Sequence, residues 1–182
     1  MPKALTLGNG KILVNLDKRG QVRDFYFPQV GLENHVGDDL KHRVGVWTDG
    51  QMSWLDDPAW KITITLAEDS LVGQVAAENE ALKIKLSSTN VVYNEENVFV
   101  RRFQITNLSD RPREIKVFFG QEFEMYQSHM AHTVYYDPHQ QVIIHYRNQR
   151  VFLVNAQLEG RAFDEYCTGV FGSEGKQGTY LS

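Results

Sequence analysis

The segments Lys61-Ile-Thr-Ile-Thr-Leu66 and Leu82-Lys-Ile-Lys-Leu86 decide the fold class, because apolar and polar residues alternate through both of them. This alternation predicts β-strands, each with one buried face and one solvated face. Similar short segments, separated by turn residues, recur along the chain about every ten residues. The sequence therefore predicts an all-β fold, a sandwich of antiparallel strands with few or no helices.

The segments on either side extend this pattern. Asn9-Gly10 stands between two apolar runs and predicts a tight hairpin, since both residues tolerate a positive φ. A long stretch without periodicity, 28–41, follows the first strands, and loops of this length are often functional. Further strands are predicted over 5–7, 12–16, 22–27, 43–47, 52–55, 98–105, 114–119, 133–136, 142–146 and 151–154. The segment 122–132 is a weak helix candidate, because it has neither a capping box nor an apolar stripe.

No shift in composition and no internal repeat marks a boundary within the sandwich. We predict one β-sandwich domain over 1–171. The tail over 172–182 is rich in glycine and polar residues, which predicts the start of a linker toward a further domain.

Charge and composition limit the partners. The net charge of −4 argues against a nucleic-acid partner, because phosphate backbones are bound by basic surfaces. The first residues lack the apolar core of a signal peptide, and no apolar run is long enough to cross a bilayer. These features predict a cytoplasmic protein without a membrane partner. The single cysteine, Cys167, is predicted to be a core residue in a strand.

No set of residues matches a known catalytic or metal-binding pattern. Four histidines, at 129, 132, 139 and 145, lie close in sequence but lack the spacing of a zinc site, so we predict no metal and no cofactor. The acidic pairs at 38–39, 56–57 and 95–96 are neighbours in sequence, and neighbours on a strand point to opposite faces. They do not supply the facing carboxyl groups of a glycosidase. We therefore predict no catalytic residue in this chain.

The candidate contact residues lie in and after the loop that follows the third strand. Aromatic faces beside planar hydrogen-bonding groups suit a sugar or a docking domain. The alternative interpretation is that the aromatic residues divide between core and surface while Glu33 to His35 cap a loop. The candidates for a sugar contact or a domain interface are Tyr26, Phe27, Glu33, Asn34, His35, Arg43, Trp47 and Trp54.

Several motifs together resemble the amino-terminal region of prokaryotic glycoside hydrolase family 15, which includes glucoamylases, glucodextranases and some trehalases. They are Leu7-Gly-Asn-Gly-Lys-Ile-Leu-Val-Asn-Leu-Asp17, Gly20-Gln-Val-Arg-Asp-Phe-Tyr-Phe-Pro28, Gly31-Leu-Glu-Asn-His35 and His42-Arg-Val-Gly-Val-Trp47. The resemblance implies a β-supersandwich followed by a linker and an α-helical catalytic domain, which carries both catalytic glutamates. It implies hydrolysis of α-glucosidic bonds by the longer protein, with an acid glutamate protonating the leaving oxygen and a base glutamate activating water.

Three functions compete at this stage. The first is a non-catalytic domain that docks and supports the helical catalytic domain of the same polypeptide, and whose uncovered interface would allow a homodimer. The second is a carbohydrate-binding module for α-glucan, in which Trp47, Trp54, Trp60 or Tyr26 stack on glucose rings. The third is an enzyme that uses its own carboxylates, for which the sequence offers no facing pair.

Overall fold

The computed structural model describes residues 3–36, 42–128 and 131–168, and in this part of the chain it contains fifteen strands and no α-helix. The strands are β1 Lys3–Gly8, β2 Leu13–Asp17, β3 Val22–Tyr26, β4 Arg43–Thr48, β5 Gln51–Trp54, β6 Trp60–Leu66, β7 Gly73–Asn79, β8 Ile84–Val92, β9 Phe99–Asn107, β10 Ile115–Gly120, β11 Thr133–Asp137, β12 Val142–Arg147, β13 Arg150–Val154, β14 Gln157–Leu158 and β15 Arg161–Ala162. The predicted all-β class is confirmed, and residues 122–128 contain no helix.

All strand pairs between the described strands are antiparallel. The chain divides in sequence into two compact units, the first ending at Gln127 and the second beginning at Ser128. The first unit contains three sheets with the strand orders β1-β2-β3, β10-β4-β5 and β6-β7-β8-β9. The second unit contains the sheets β11-β12-β13 and β14-β15. No change in composition marks this boundary, so the sequence alone did not indicate it.

The main core of the first unit lies between the β10-β4-β5 sheet and the four-stranded sheet. Its buried members are Val44, Val46, Leu55, Trp60, Ala77, Leu82, Ile84 and Leu86. Except for Leu55 and Leu82, which lie outside the strands, they occupy alternate positions of their strands, and buried residues accordingly alternate with more exposed ones along β7 and β8. The opposite face of the four-stranded sheet therefore faces away from this core.

The β1-β2-β3 meander packs on the same inner face through two glycines. Gly73 lies against Leu5 and Leu7, and Gly20 lies so close that a Cβ there would meet Val75 Cγ1 at 2.8 Å. Arg101 is half-buried nearby, where its guanidinium donates to Gly20 O at 2.7 Å. Burial lowers the pKa of Arg101 to about 10, although the charge of Asp17 opposes the shift.

The second unit carries an aromatic cluster beside its three-stranded sheet. The rings of Tyr136 and Tyr166 are 4.4 Å apart between centroids, and Phe163 makes edge contacts with both. Cys167 follows this cluster and is exposed outside any strand, so the prediction of a core cysteine was wrong. A tyrosine neighbour and an apolar character suggested a strand, but residues 163–168 form no ladder.

Most predicted strands are observed with shifts of one or two residues at their ends, but β7 was not predicted. The predicted linker at 172–182 lies outside the described residues, so that prediction is not tested. Among the described segments, no helix is long and apolar enough to cross a membrane.

Candidate functional site

The loop after β3 folds back onto its own strand. Tyr26 forms an isolated antiparallel bridge with Asn34, and the Phe27 N–H donates to Glu33 O at 3.3 Å. The His35 N–H donates to Phe25 O at 2.8 Å. The Phe27–Pro28 peptide bond is cis. The candidate residues from Tyr26 to His35 thus form one closed loop, held largely by its own backbone.

Asn34 connects this loop to the meander. Its Oδ1 accepts hydrogen bonds from the N–H groups of Phe25 at 2.9 Å and Val36 at 3.2 Å. Its Nδ2 donates to Asp24 Oδ1 at 3.0 Å, and Asp24 Oδ2 accepts from Asn15 Nδ2 at 2.9 Å. These bonds use both oxygens of Asp24 and both ends of the Asn34 amide within the fold.

His35 is fully buried and contacts backbone on both sides. Its Nε2 lies 2.7 Å from Phe27 O, and its Nδ1 lies 3.3 Å from Glu124 O. The Glu33 carboxylate lies 3.6 Å from the same Nε2. The ring therefore joins the loop to the segment after β10, where the Glu124 N–H also donates to His35 O at 2.8 Å. This environment favours the interpretation that Glu33 to His35 stabilise a loop.

The other three candidates meet on a sheet face that we call the tryptophan face. Antiparallel register places its members on one side of β10-β4-β5. They are Arg43, Gly45, Trp47, Met52, Trp54, Lys116 and Phe118. Met52 and Phe118 are exposed, and both tryptophans are half-buried.

Cations lie over both tryptophan rings of this face. The Arg43 guanidinium carbon is 5.0 Å from the Trp54 ring centroid, and Lys116 Nζ is 5.7 Å from that of Trp47. Gly45 leaves room beneath the Trp54 ring, since a Cβ there would overlap Met52 and Trp54. The face thus combines apolar area with two cationic side chains, each placed over a tryptophan ring at a distance typical of cation–π interactions.

Arg43 is held in place by Asp56, whose Oδ2 lies 2.8 Å from Arg43 Nη2. Burial alone would raise the pKa of Asp56, but the hydrogen bond and charge of Arg43 outweigh it, so the pKa lies below its ordinary value. Burial raises the pKa of Glu122 against the opposing charge of Arg43. The Asp56 carboxylate is therefore committed to its ion pair with Arg43.

Trp60 lies in the core with 1% of its surface exposed, so it cannot stack on a sugar. Its Nε1 donates to Ser53 Oγ at 2.9 Å.

Burial lowers the pKa of His145 to about 4, and the charge of His132 contributes to the shift. In the described part of the chain, no group of three or more His, Cys, Asp or Glu side chains is arranged to hold a metal ion.

Comparison with protein families adds the decisive observation. Residues 71–169, from the turn before β7 to the end of the described chain, match the model of the glycosyl hydrolase 94 supersandwich domain. The chain belongs to this family. The match includes most of the four-stranded sheet, and the all-β architecture agrees with a supersandwich domain. The resemblance to family 15 identified a glycoside hydrolase sandwich correctly but assigned it to the wrong hydrolase family.

A search among curated proteins gives a similar answer. The supersandwich domain is 28% identical over 128 residues to an uncharacterized glycosyl hydrolase of Methanocaldococcus jannaschii. The match covers 70% of this chain and 20% of the relative, so the chain spans about a fifth of the length of the curated relative it matches. No solved structure matches.

Proposed function

We propose that this supersandwich domain is a non-catalytic part of a longer glycoside hydrolase, in which it docks and supports an α-helical catalytic domain. The family match carries the proposal, because it places a recognised sandwich domain of glycoside hydrolases over more than half of the chain. The relative supports it, because the stretch similar to this chain is 20% of a protein named as a glycosyl hydrolase.

We propose only that the longer protein cleaves a glycosidic bond, without assigning its sugar or its linkage. The α-glucosidic specificity followed from the resemblance to family 15, and the family match does not support that refinement. An assay of the parent activity should therefore include both α-linked and β-linked glucosides. The catalytic acid and base are proposed to lie outside this chain, in the helical domain.

The tryptophan face is the surface that we propose for docking. Interface cores are enriched in aromatic residues, Met and Arg, and this face contains two tryptophans, Met52, Phe118 and Arg43. Arg43 is held by Asp56, and Trp54 lies beneath its guanidinium, so these side chains have little freedom to lose on binding. The occupant is the catalytic domain of the same polypeptide.

Sedimentation of the isolated chain tests this surface. A docking surface left uncovered should self-associate at high protein concentration, and Phe118→Asp should shift the chain to monomer because it places a charge in the apolar patch. Leu71→Asp is the matched control, since Leu71 is 66% exposed and lies outside the tryptophan face. A wild-type chain that remains monomeric, or two variants that behave alike, would argue against docking through this face.

The alternative function, a carbohydrate-binding module that stacks glucose rings on aromatic side chains, has less support. Trp60 is buried, Tyr26 is half-buried within the closed loop, and cations already lie over Trp47 and Trp54. A pyranose ring would have to displace Arg43 and Lys116 or use the opposite ring faces. The docking role therefore explains the tryptophan face better.

A further inference from the structure

The outer face of the four-stranded sheet carries a shallow depression that is separate from the tryptophan face. It has a volume of about 440 Å³ and lies across all four strands β6 to β9. We call it the polar trough. The side chains that line it from the outer face are Thr63, Thr65, Gln74, Ala76, Ser87, Thr89, Arg102 and Gln104.

The sheet register explains the shape of the trough. One row crosses the strands as Thr63, Ala76, Ser87 and Gln104, and its two central residues are small. The next row crosses as Thr65, Gln74, Thr89 and Arg102, with longer side chains. Ala76 and Ser87 are the smallest side chains among these residues, and Gln74, Arg102 and Gln104 are the longest. Three interstrand spacings of about 4.8 Å make each row about 14 Å long.

The polar trough is lined mainly by uncharged hydrogen-bonding groups, with Arg102 as its single cation. Hydroxyl groups and carboxamides both donate and accept, and the guanidinium of Arg102 adds a rigid set of donors. Within the described part of the chain, the Gln74, Gln104 and Arg102 side chains form no hydrogen bond with other protein groups, and the same is true of the trough hydroxyls. The trough therefore presents its polar groups outward and uncommitted.

An ordinary solvated strand face differs from this surface. The adjoining row of the same sheet is Lys61, Glu78, Lys85 and Thr106, which is charged as expected for a solvated face. The trough replaces most of these charges with amides and hydroxyls, although all of its side chains except Ser87 are exposed as well. A protein partner would need aromatic or aliphatic anchors, and single-stranded nucleic acid would need aromatic platforms and several cations. The trough side chains include neither an aromatic ring nor a second cation.

We propose that the polar trough binds a neutral oligosaccharide, recognised by hydrogen bonds to its hydroxyl groups. A sugar hydroxyl is both donor and acceptor, and the trough offers both along a row long enough for several hydroxyl-bearing rings. This role is additional to docking, because the trough lies on β6 to β9 and the tryptophan face lies on β10-β4-β5. Failure of one proposal would leave the other standing.

The test is a titration of the 182-residue chain followed by nuclear magnetic resonance, with maltotetraose, isomaltotetraose and cellotetraose as separate probes. At least one probe should shift backbone amides of the trough segments 63–65, 74–76, 87–89 and 102–104. Arg102→Ala should weaken that binding about tenfold or more, the loss expected for hydrogen bonds to a charged group. Ala76→Gln should also weaken it, because a long side chain would replace one of the smallest in the trough.

Two controls make the outcome decisive. Lys85→Ala changes the same sheet face in the adjoining row and should bind as the wild type does. Trp54→Ser changes the tryptophan face and should also leave binding unchanged. All of the trough positions named for substitution are exposed, so the folded state should tolerate the changes. Absence of binding by all three probes, or binding lost with Trp54→Ser but kept with Arg102→Ala, would overturn the proposal.

Discussion

Replacing His35 by leucine should destabilise the first unit strongly, although leucine has a similar size and suits a buried position. The His35 ring is fully buried between Phe27 O at 2.7 Å and Glu124 O at 3.3 Å. Leucine has no N–H to donate to Phe27 O, the closer of the two carbonyls. A buried acceptor left without its donor costs about 1–3 kcal/mol. We expect His35→Leu to lower the free energy of unfolding by about 2 kcal/mol.

Urea unfolding followed by tryptophan fluorescence measures this loss, because Trp60 reports on the core of the same unit. With an m-value of about 2 kcal/mol/M, a loss of about 2 kcal/mol lowers the midpoint by about 1 M. His139→Leu is the matched control, since His139 is an exposed turn residue and its substitution should change stability by less than about 0.5 kcal/mol. Equal midpoints for the two variants would refute the view that His35 holds the loop.

Three further substitutions test other parts of the fold. Gly20→Ala should lower the free energy of unfolding by about 1–2 kcal/mol more than Gly10→Ala does. Both glycines have positive φ, but of the two only Gly20 has another side chain, that of Val75, within 4 Å of the added Cβ. Equal losses in urea unfolding would contradict this packing. Trp60→Phe should lower the free energy of unfolding by about 1–3 kcal/mol, because the smaller ring leaves a cavity and cannot donate to Ser53 Oγ. An unchanged thermal midpoint would show that the core does not depend on the indole. The pKa of His145 in the folded state lies at about 4, below its ordinary value of 6.5. As the pH falls, the unfolded chain therefore binds a proton at His145 before the folded chain does. The neutral His145 thus contributes to stability above about pH 6.5, and this contribution is lost as the pH falls toward 4. His145→Gln should therefore reduce the loss of stability between about pH 7 and about pH 5 by about 2 kcal/mol, and identical pH profiles for variant and wild type would contradict the lowered pKa of His145.

The fold class and most strands could be predicted because local alternation and turn residues specify them. β7 could not, because its residues Gly73, Ala76 and Glu78 disfavour strands in isolation. Its place is set by neighbours: Leu5 and Leu7 pack where Gly73 has no side chain, and β6 and β8 pair with it on both sides. This information is tertiary, and no local pattern in the sequence contains it.

The candidate site shows the same division. Sequence placed Tyr26, His35 and the tryptophans in one group because they are near in the chain, whereas the structure separates them into a closed loop and a sheet face. Strand parity explains the separation of Trp54 on the outer face from Trp60 in the core. The polar trough was missed because its members come from four strands and become neighbours only through their register.

We propose that this supersandwich domain of a glycoside hydrolase family carries no complete active site. The most direct test is an assay of glucose release by the purified 182-residue chain from maltooligosaccharides, isomaltooligosaccharides, cellooligosaccharides and trehalose. We expect no release above the level of a heat-denatured control, whether or not an oligosaccharide binds in the polar trough. Glucose release that co-purifies with the chain and is lost when its acidic residues are substituted would show that the chain contains an active site.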